Sequence, residues 1–174
     1  MNRVIVYQSK TGHTEAYAKL LAERLNCKVL DSKAFNRNTA SEYNQYIFMG
    51  WLRAAKIAGL NAFLRKVDPD SNIVIGAVGA SPKSHDYTEK VRNANFQDKN
   101  SYPLYYFQGG FDPEKLTFPL KVMLKKVADS IKKKQEKNPE ILTDEDKEFL
   151  SFFQNKHSEV SEENLEDILN YLQE

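Results

Sequence analysis

Cysteine and histidine are scarce in this sequence of 174 residues, which contains one cysteine and three histidines. The single cysteine, Cys27, excludes an internal disulfide and a zinc cluster built from cysteines. The three histidines, His13, His85 and His157, are far apart and do not show the spacing of a metal site. We therefore predict no metal centre, and we expect Cys27 to be a small buried side chain and not a nucleophile.

Long hydrophobic runs are also absent. The longest uninterrupted run of apolar residues and glycine is 73–80, far shorter than the roughly 20 residues that a membrane span requires. The chain begins MNRVIVY and enters a strand-like run at once, which leaves no room for a signal peptide. We expect a soluble cytoplasmic domain.

The net charge of +1 conceals an uneven distribution of charge along the chain. Residues 138–174 hold two basic and eleven acidic residues, a net charge of −9, and the other 137 residues have a net charge of +10. An acidic segment of this kind can fold back on a basic surface or simply be solvated. The charge distribution predicts a main domain over 1–137 and an acidic helical extension over 138–174.

Short apolar runs alternate with segments of helical spacing. The predicted strands are 4–7, 28–30, 46–49, 73–78 and 104–107, and the predicted helices are 14–25, 61–67 and 114–134. Asn26 and the residues before Pro69 are expected to end the first two helices. Continuous apolar strands that alternate with helices are typical of a parallel sheet covered on both faces. Two further helices, 138–154 and 161–173, are predicted in the acidic extension.

The segment between the first strand and the first helix is rich in hydroxyl groups. It consists of Ser9, Lys10, Thr11, Gly12, His13 and Thr14. Hydroxyls, backbone amides and a positive helix end suit a phosphate group, and Gly12 permits close approach or positive φ. The glycine patterns of Walker A and dinucleotide sites are absent, which favours a terminal phosphomonoester over a nucleoside triphosphate or NAD. The residues alone leave an equal alternative, in which Thr11 or Thr14 merely caps the helix.

The stretch 7–15, YQSKTGHTE, resembles the FMN phosphate loop of flavodoxins, whose pattern is close to Ser/Thr-x-Thr-Gly-x-Thr. The resemblance covers 1–135 and implies a three-layer α/β fold with a five-stranded parallel sheet of order 2-1-3-4-5. It also implies bound FMN, with the phosphate held by Ser9, Thr11 and Thr14 hydroxyls and nearby amides. His13 replaces the asparagine that is most common in electron-carrier flavodoxins and keeps the backbone role.

Two further loops of flavodoxins contact the flavin ring. The corresponding residues are Gly50, Trp51, Leu52 and Arg53 in one loop and Gly79, Ala80 and Ser81 in the other. The resemblance implies that Trp51 stacks on the ring and that Arg53 stabilises the reduced anionic flavin or an anionic substrate. A structural Trp51 and a solvated Arg53 stay open as alternatives. Tyr87 is either a second stacking residue or, as we favour, part of the next helix.

Residues 50–56 are similar to a Gly-x-x-Ile/Leu-Arg stretch of the menaquinone-dependent protoporphyrinogen dehydrogenases. Residues 106–111 and the helix that contains 121–126 resemble the last strand and helix of that group, although its long insertion and arginine-rich loop are absent. The resemblance implies a flavodoxin-like FMN oxidoreductase. Such a protein transfers electrons or hydride equivalents between a donor and a small acceptor such as a quinone or a porphyrinogen, and FMN carries the chemistry.

Two other readings of the sequence remain. The chain is alternatively a flavin-free flavodoxin-like module that binds or regulates a partner, because a fold does not fix a function. The lysines of 121–137 form a basic strip that is either a solvated helix face or a peripheral contact with anionic lipid. No nucleic acid is expected, because no aromatic or glycine motif accompanies the strip.

Overall fold

The contacts within the chain divide it into two compact units. The structure, a computed structural model, describes residues 2–96, 102–111, 118–138, 141–143, 146–147, 149–151 and 157–173. Unit 1 comprises residues 1–109 and 159–174, and unit 2 comprises residues 110–158. This division differs from the boundary at residue 138 that the charge distribution predicts, because the end of the acidic segment packs within unit 1.

A parallel sheet forms the centre of unit 1. Its strands are β1 (Arg3–Gln8), β2 (Lys28–Asp31), β3 (Gln45–Arg53), the short β4 (Lys56–Ile57), β5 (Asn72–Gly79) and β6 (Leu104–Gln108). The parallel strands lie in the order β2-β1-β3-β5-β6, and β4 pairs antiparallel with the end of β3. Counted along the parallel strands alone, the order is 2-1-3-4-5, which confirms the predicted fold class.

Helices accompany most of the connections between strands. They are α1 (His13–Leu25), α2 (Arg37–Ala40), α3 (Leu60–Leu64), α4 (His85–Asn95), α5 (Phe118–Lys137) and α6 (Glu166–Gln173). Helix α1 ends as predicted at Asn26, which is left-handed with φ of 46°. Helix α3 ends three residues before the predicted position, because the N–H of Lys66 closes a turn on the carbonyl of Phe63 at 2.8 Å.

Both faces of the sheet are buried. Successive side chains of a strand point to opposite faces, so Tyr46 and Phe48 of β3 join one apolar cluster while Ile47 and Met49 join another. The first cluster includes Phe63 of α3, and the second includes residues of α1. The predicted cover on both faces is therefore confirmed, and it explains why the strands are apolar without alternation.

The C-terminal residues return to the sheet and cover part of one face. A 3-10 turn (Glu163–Leu165) leads into α6. Leu165, Ile168 and Leu169 are buried in the same cluster as Tyr17 and Leu21 of α1. Burial of apolar surface contributes roughly 25 cal/mol per Å², so these three side chains supply most of the attachment.

Polar contacts also tie the C-terminal residues to unit 1. Arg24 pairs with Glu162 at 2.8 Å, and Lys83 pairs with Asp167 at 2.6 Å. All four side chains are exposed, so each pair contributes at most about 1 kcal/mol. This part of the acidic segment thus folds back on basic residues, one of the two options that the charge distribution left open.

Unit 2 contains a small apolar cluster of its own. Ala128 and Ile131 of α5 are buried with Leu150, and Leu142 and Phe149 pack against them. Two short strands, β7 (Gly110–Phe111) and β8 (His157–Ser158), pair antiparallel. Unit 2 therefore buries one side of α5.

The predicted helices of this region are covered in part by the structure. Pro119 is the second residue of α5, where the missing N–H of proline costs no hydrogen bond. The earlier predicted start at residue 114 lies outside the described residues. Within the predicted helix 138–154, residues 146–147 and 149–151 are helical. Among the helices that the structure describes, none has the length and apolar character needed to cross a membrane.

We predict that Leu165→Ala lowers the free energy of unfolding of the protein by about 2–5 kcal/mol, because it opens a cavity beneath α6. Urea denaturation followed by circular dichroism measures the change. Asn170→Ala on the exposed side of α6 is the matched control and should change stability by less than about 0.5 kcal/mol. Equal stability of the two variants would contradict the packing of the C-terminal residues on the sheet.

Candidate functional site

Several loops meet at the carboxyl edge of the sheet. Strand β1 lies between β2 and β3. The connection from β1 leads to β2 on one side of β1, and the connection from β2 leads to β3 on the opposite side of β1. Ligands of open α/β sheets bind in the crevice at such a topological switch point, outside the carboxyl ends of the strands. The residues after β1 and at the end of β3 flank this crevice.

The residues after β1 form a tight loop that leads into α1. The N–H of Gly12 donates to Oγ of Ser9 at 3.1 Å, and Thr11 Oγ1 lies 2.9 Å from His13 Nδ1. Gly12 has φ of 100°, a left-handed conformation that side chains rarely adopt. The loop conformation therefore requires glycine at this position, as the sequence indicated.

The N-terminus of α1 has no side-chain cap. The expectation that Thr11 or Thr14 caps the helix is therefore wrong. The hydroxyl of Thr11 is engaged with His13 instead, and Thr14 lies inside the first turn, where it is 2 % exposed. The positive end of the α1 dipole therefore has no side-chain cap, and Glu15 in the first turn supplies one negative charge near it. Free backbone amides at such a helix end can bind an anion.

Trp51 belongs to β3 and lies next to the loop after β1. The sequence predicts a strand that ends at residue 49, with Gly50, Trp51, Leu52 and Arg53 in a loop. This prediction is wrong, because β3 continues to Arg53: Trp51 pairs with Val78 of β5, and Leu52 pairs with Ile57 of β4. The ammonium group of Lys10 stands 4.9 Å from the centre of the Trp51 ring, a cation–π contact that joins the two segments.

A tight hairpin links β3 and β4 at the rim of the crevice. Its two turn residues, Ala54 and Ala55, have φ of 48° and 65°, although this left-handed region disfavours side chains. The side chain of Asn95 in α4 holds the turn: it donates to the carbonyl of Ala55 at 2.7 Å and accepts from the N–H of Ile57 at 2.9 Å. Lys56 Nζ also donates to the carbonyl of Ala94.

Glycines at this edge allow close packing between strands and loops. A Cβ placed on Gly50 would lie 2.5 Å from Ile57 Cγ2, so Gly50 makes room for the hairpin to fold back. A Cβ on Gly79 would lie 2.8 Å from the hydroxyl of Tyr106. A Cβ on Gly109 would lie 3.1 Å from the Cβ of His13, which shows how closely the end of β6 approaches the loop after β1.

The residues after β5 are fixed by β6. The carbonyl of Gly79 accepts from the N–H of Gly109 at 2.7 Å, and the carbonyl of Ser81 accepts from the hydroxyl of Tyr106 at 2.5 Å. Tyr87 lies in the first turn of α4, as favoured above, and its ring packs edge-on against Tyr106 at 5.2 Å. Ala80 is partly exposed between these anchors.

Tyr17 connects α1, β6 and the C-terminal residues. Its hydroxyl donates to the carbonyl of Gln108 at 2.6 Å and accepts from the amide of Asn164 at 2.8 Å, and the carbonyl of Glu159 lies 3.0 Å away. The N–H of Glu159 donates to the carbonyl of Gly109 at 2.7 Å. This network fixes the end of β6 beside His13.

Burial raises the pKa of several groups in unit 1. Desolvation raises the pKa of the Tyr106 hydroxyl strongly and that of Tyr17 as well. Both phenols therefore stay protonated and serve as hydrogen-bond donors at the crevice. Burial also raises the pKa of the Cys27 thiol. Cys27 is partly buried against the apolar cluster that contains α1, which fits a packing role for this side chain.

The structure brings most of the sequence-predicted residues to one edge. Ser9 to Gly12 form the loop after β1, and His13 and Thr14 begin α1. Lys10 contacts Trp51, and Leu52 lies next to Gly79. Arg53 is exposed in the hairpin, and Gly50 is buried within β3. In the part of the chain that the structure describes, no group of three or more acidic, histidine or cysteine side chains could hold a metal ion.

Sequence reasoning missed Tyr17, Tyr106, Asn95 and Gly109 as residues that shape this edge. Tyr17 lies one turn after Thr14 and one turn before Leu21, so the helical spacing places it on the buried face of α1. Gly109 is half of a Gly-Gly pair after an apolar strand, which is a turn signal. Tyr106 contacts Ser81 across 25 residues and Asn95 contacts Ala55 across 40 residues, so no local sequence pattern predicts these hydrogen bonds.

Residues 4–138 match the family of the flavodoxin domain, and the chain belongs to this family. No curated protein matches the sequence. The chain is similar in structure to a flavodoxin from the domain Archaea, with 17% identity and a TM-score of 0.41 over 66% of this chain and 89% of that one.

Two other solved structures are similar to the chain. A flavodoxin, WrbA-like protein from Agrobacterium tumefaciens has 16% identity and a TM-score of 0.38 over 62% of this chain and 83% of that one. The metal-soaked Flv1 flavodiiron core from Synechocystis sp. PCC6803 has 16% identity and a TM-score of 0.42 over 64% of this chain and 29% of that one.

We predict that Ala54→Gly stabilises the protein by about 1 kcal/mol, because glycine relieves the left-handed strain in the hairpin turn. Thermal unfolding measures the effect. The matched control is Ala62→Gly on the exposed side of α3, where glycine should cost about 1 kcal/mol. A loss of stability in both variants would contradict the strained turn.

Proposed function

We propose that the protein binds FMN at the carboxyl edge of the sheet and acts as a redox protein. The observation that carries this proposal is the uncapped N-terminus of α1 at the switch point, where the hydroxyl-rich loop 9–14 leads into the helix. A phosphomonoester would accept hydrogen bonds from the backbone amides at this helix end. Membership of the flavodoxin domain family supports a flavin as the ligand.

The residues present fit the two ends of such a cofactor. Ser9, Thr11 and Thr14 with the amides around Gly12 would hold the phosphate. Trp51 and the residues 79–81 would contact the ring. The ammonium of Lys10 already occupies one side of the Trp51 ring, so a flavin that stacks on that side has to displace it. FMN, when bound, supplies the electron or hydride transfer, while the protein supplies binding and the charge near the ring.

We further propose that the electron donor that reduces FMN is a small anionic molecule. Lys10, Arg53 and Lys56 place three positive charges on the loop and hairpin at the rim of the crevice, and Arg53 is exposed at the tip. A porphyrinogen carries carboxylates that an arginine binds with two parallel hydrogen bonds, whereas a quinone offers no charge. These charges favour a porphyrinogen as the donor that is oxidised, with its electrons passing through FMN to an uncharged acceptor such as a quinone, and they agree with the resemblance to the protoporphyrinogen dehydrogenases.

We predict that Thr14→Val weakens FMN binding at least tenfold while the fold is retained, because valine keeps the shape of threonine and removes the hydroxyl. Titration of the purified protein with FMN, followed by flavin fluorescence, measures the affinity, and circular dichroism checks the fold. Thr39→Val in α2, a helix that precedes β3 and so lies toward the opposite edge of the sheet, is the matched control and should bind FMN as the wild type does.

Two outcomes of this titration contradict the proposal. If the wild-type protein does not bind added FMN, the flavin-free binding module is favoured. Wild-type protein that binds FMN as tightly as Thr14→Val and Thr11→Val variants would contradict the assignment of the phosphate to this loop.

We predict that Arg53→Gln raises the KM for a porphyrinogen donor about tenfold, because a hydrogen bond to a charged group contributes about 1.5–3 kcal/mol. Steady-state oxidation of protoporphyrinogen by the FMN-loaded protein, with a soluble quinone as the electron acceptor, measures this change, and the affinity for FMN checks the flavin site. Arg65→Gln, which alters another exposed arginine, is the control. An unchanged KM in Arg53→Gln would remove the anionic donor from the proposal and leave the FMN site intact.

A further inference from the structure

Two hydroxyl side chains in the loop after β1 differ in what fixes their direction. Oγ of Ser9 accepts a hydrogen bond from the N–H of Gly12 at 3.1 Å, so the Ser9 proton is directed away from that amide. Oγ1 of Thr11 lies 2.9 Å from Nδ1 of His13, a ring nitrogen that either donates or accepts. The protonation of His13 therefore sets the direction of the Thr11 proton.

His13 is held against the end of β6. It is the first residue of α1 and is partly buried. A Cβ placed on Gly109 would lie 3.1 Å from the Cβ of His13, and the N–H of Gly109 donates to the carbonyl of Gly79 at 2.7 Å. The base of the His13 side chain thus packs against backbone that is tied to the neighbouring strand. The contact between Nδ1 and Thr11 consequently depends on packing within unit 1.

The protonation state of His13 decides whether the Thr11 hydroxyl can donate to an anion. A neutral imidazole that carries its proton on Nε2 accepts at Nδ1, so the Thr11 proton points toward the ring. An imidazolium donates from both ring nitrogens. Oγ1 of Thr11 then accepts, and its own proton is directed away from His13. A phosphate dianion only accepts hydrogen bonds, so the imidazolium state suits it better.

We propose that His13 is a positioning residue of the phosphate site, whose protonated form turns the Thr11 hydroxyl toward the phosphate of FMN. This inference rests on the proposed function, because it assigns a role at the same site. A phosphate stabilises a nearby imidazolium, so binding takes up a proton. The affinity for FMN is therefore raised at low pH, and this contribution is lost as the pH rises through the range of about 5 to 8 in which histidine loses its charge.

Other titratable groups lie around His13 and need a control. In the described part of unit 1, the charged groups on the surrounding elements are Lys10, Glu15, Lys19 and Glu159. Burial raises the pKa of the phenols of Tyr7 and Tyr17, so both stay protonated. A phosphomonoester itself gains its second charge near about pH 6, which strengthens binding at higher pH and opposes the effect of His13. A variant that changes residue 13 alone keeps all of these groups.

Titration of the purified protein with FMN between about pH 6 and about pH 8.5, followed by flavin fluorescence, tests the proposal. His13→Asn keeps a side-chain amide that can donate to Thr11, but this amide does not titrate. His85→Asn, at an exposed histidine that begins α4, is the matched control. Riboflavin, which lacks the phosphate, is titrated in parallel.

We expect the ratio of the wild-type affinity to the His13→Asn affinity to rise about tenfold from the high to the low end of this range, because a neighbouring opposite charge shifts a titration by about one unit or more. The ratio divides out the ionisation of the phosphate. His85→Asn should follow the wild type at each pH, and the ratio for riboflavin should stay constant. In a Thr11→Val background the ratio for FMN should change by less than about twofold, because valine lacks the hydroxyl that His13 directs.

Three results would overturn the role of His13. They are a ratio for FMN that is the same at both pH values, a change of equal size for riboflavin, and a change of equal size in the Thr11→Val background. The FMN site would stand in these cases, because the wild type still binds FMN. Wild-type protein that binds no FMN at any pH would instead remove the proposed function together with this inference.

Discussion

The face of the sheet that lies under α1 has to be covered by two segments that are far apart in sequence. Tyr17 and Leu21 of α1 cover one part of it, and Leu165 and Ile168 near the C-terminus cover another. The strand residues beneath these segments, such as Ile5 and Ile47, have fully buried side chains that are entirely apolar. Because burial of apolar surface is the main favourable term in folding, the sheet depends on the return of the chain after unit 2.

The C-terminal residues that return to unit 1 also fix the edge of the crevice. The N–H of Glu159 donates to the carbonyl of Gly109, and the hydroxyl of Tyr17 contacts the carbonyls of Gln108 and Glu159. The end of β6 is thereby held beside His13 and the loop that leads into α1. These hydrogen bonds fix the loop after β1 relative to the end of β6.

The uneven charge along the sequence is largely balanced within each structural unit. Within unit 1, Glu162 and Asp167 of the acidic segment pair with Arg24 and Lys83. Within unit 2, α5 keeps its lysines exposed. Each unit is nevertheless close to neutral, because the lysines of α5 are matched by acidic residues elsewhere in unit 2.

The sequence by itself determined the strands, the parallel sheet and the loop at 9–14, because apolar runs, turn residues and the Gly12 position are local signals. Only the tertiary structure decided that β3 continues to Arg53 and turns through Ala54 and Ala55, since pairing with β4 and the anchor at Asn95 overrule the local preference of alanine. Only the tertiary structure, too, placed α5 and the C-terminal helix in different units and packed the latter on the sheet. Such choices are made by contacts across more than a hundred residues, as between Tyr17 and Asn164, which no short pattern encodes.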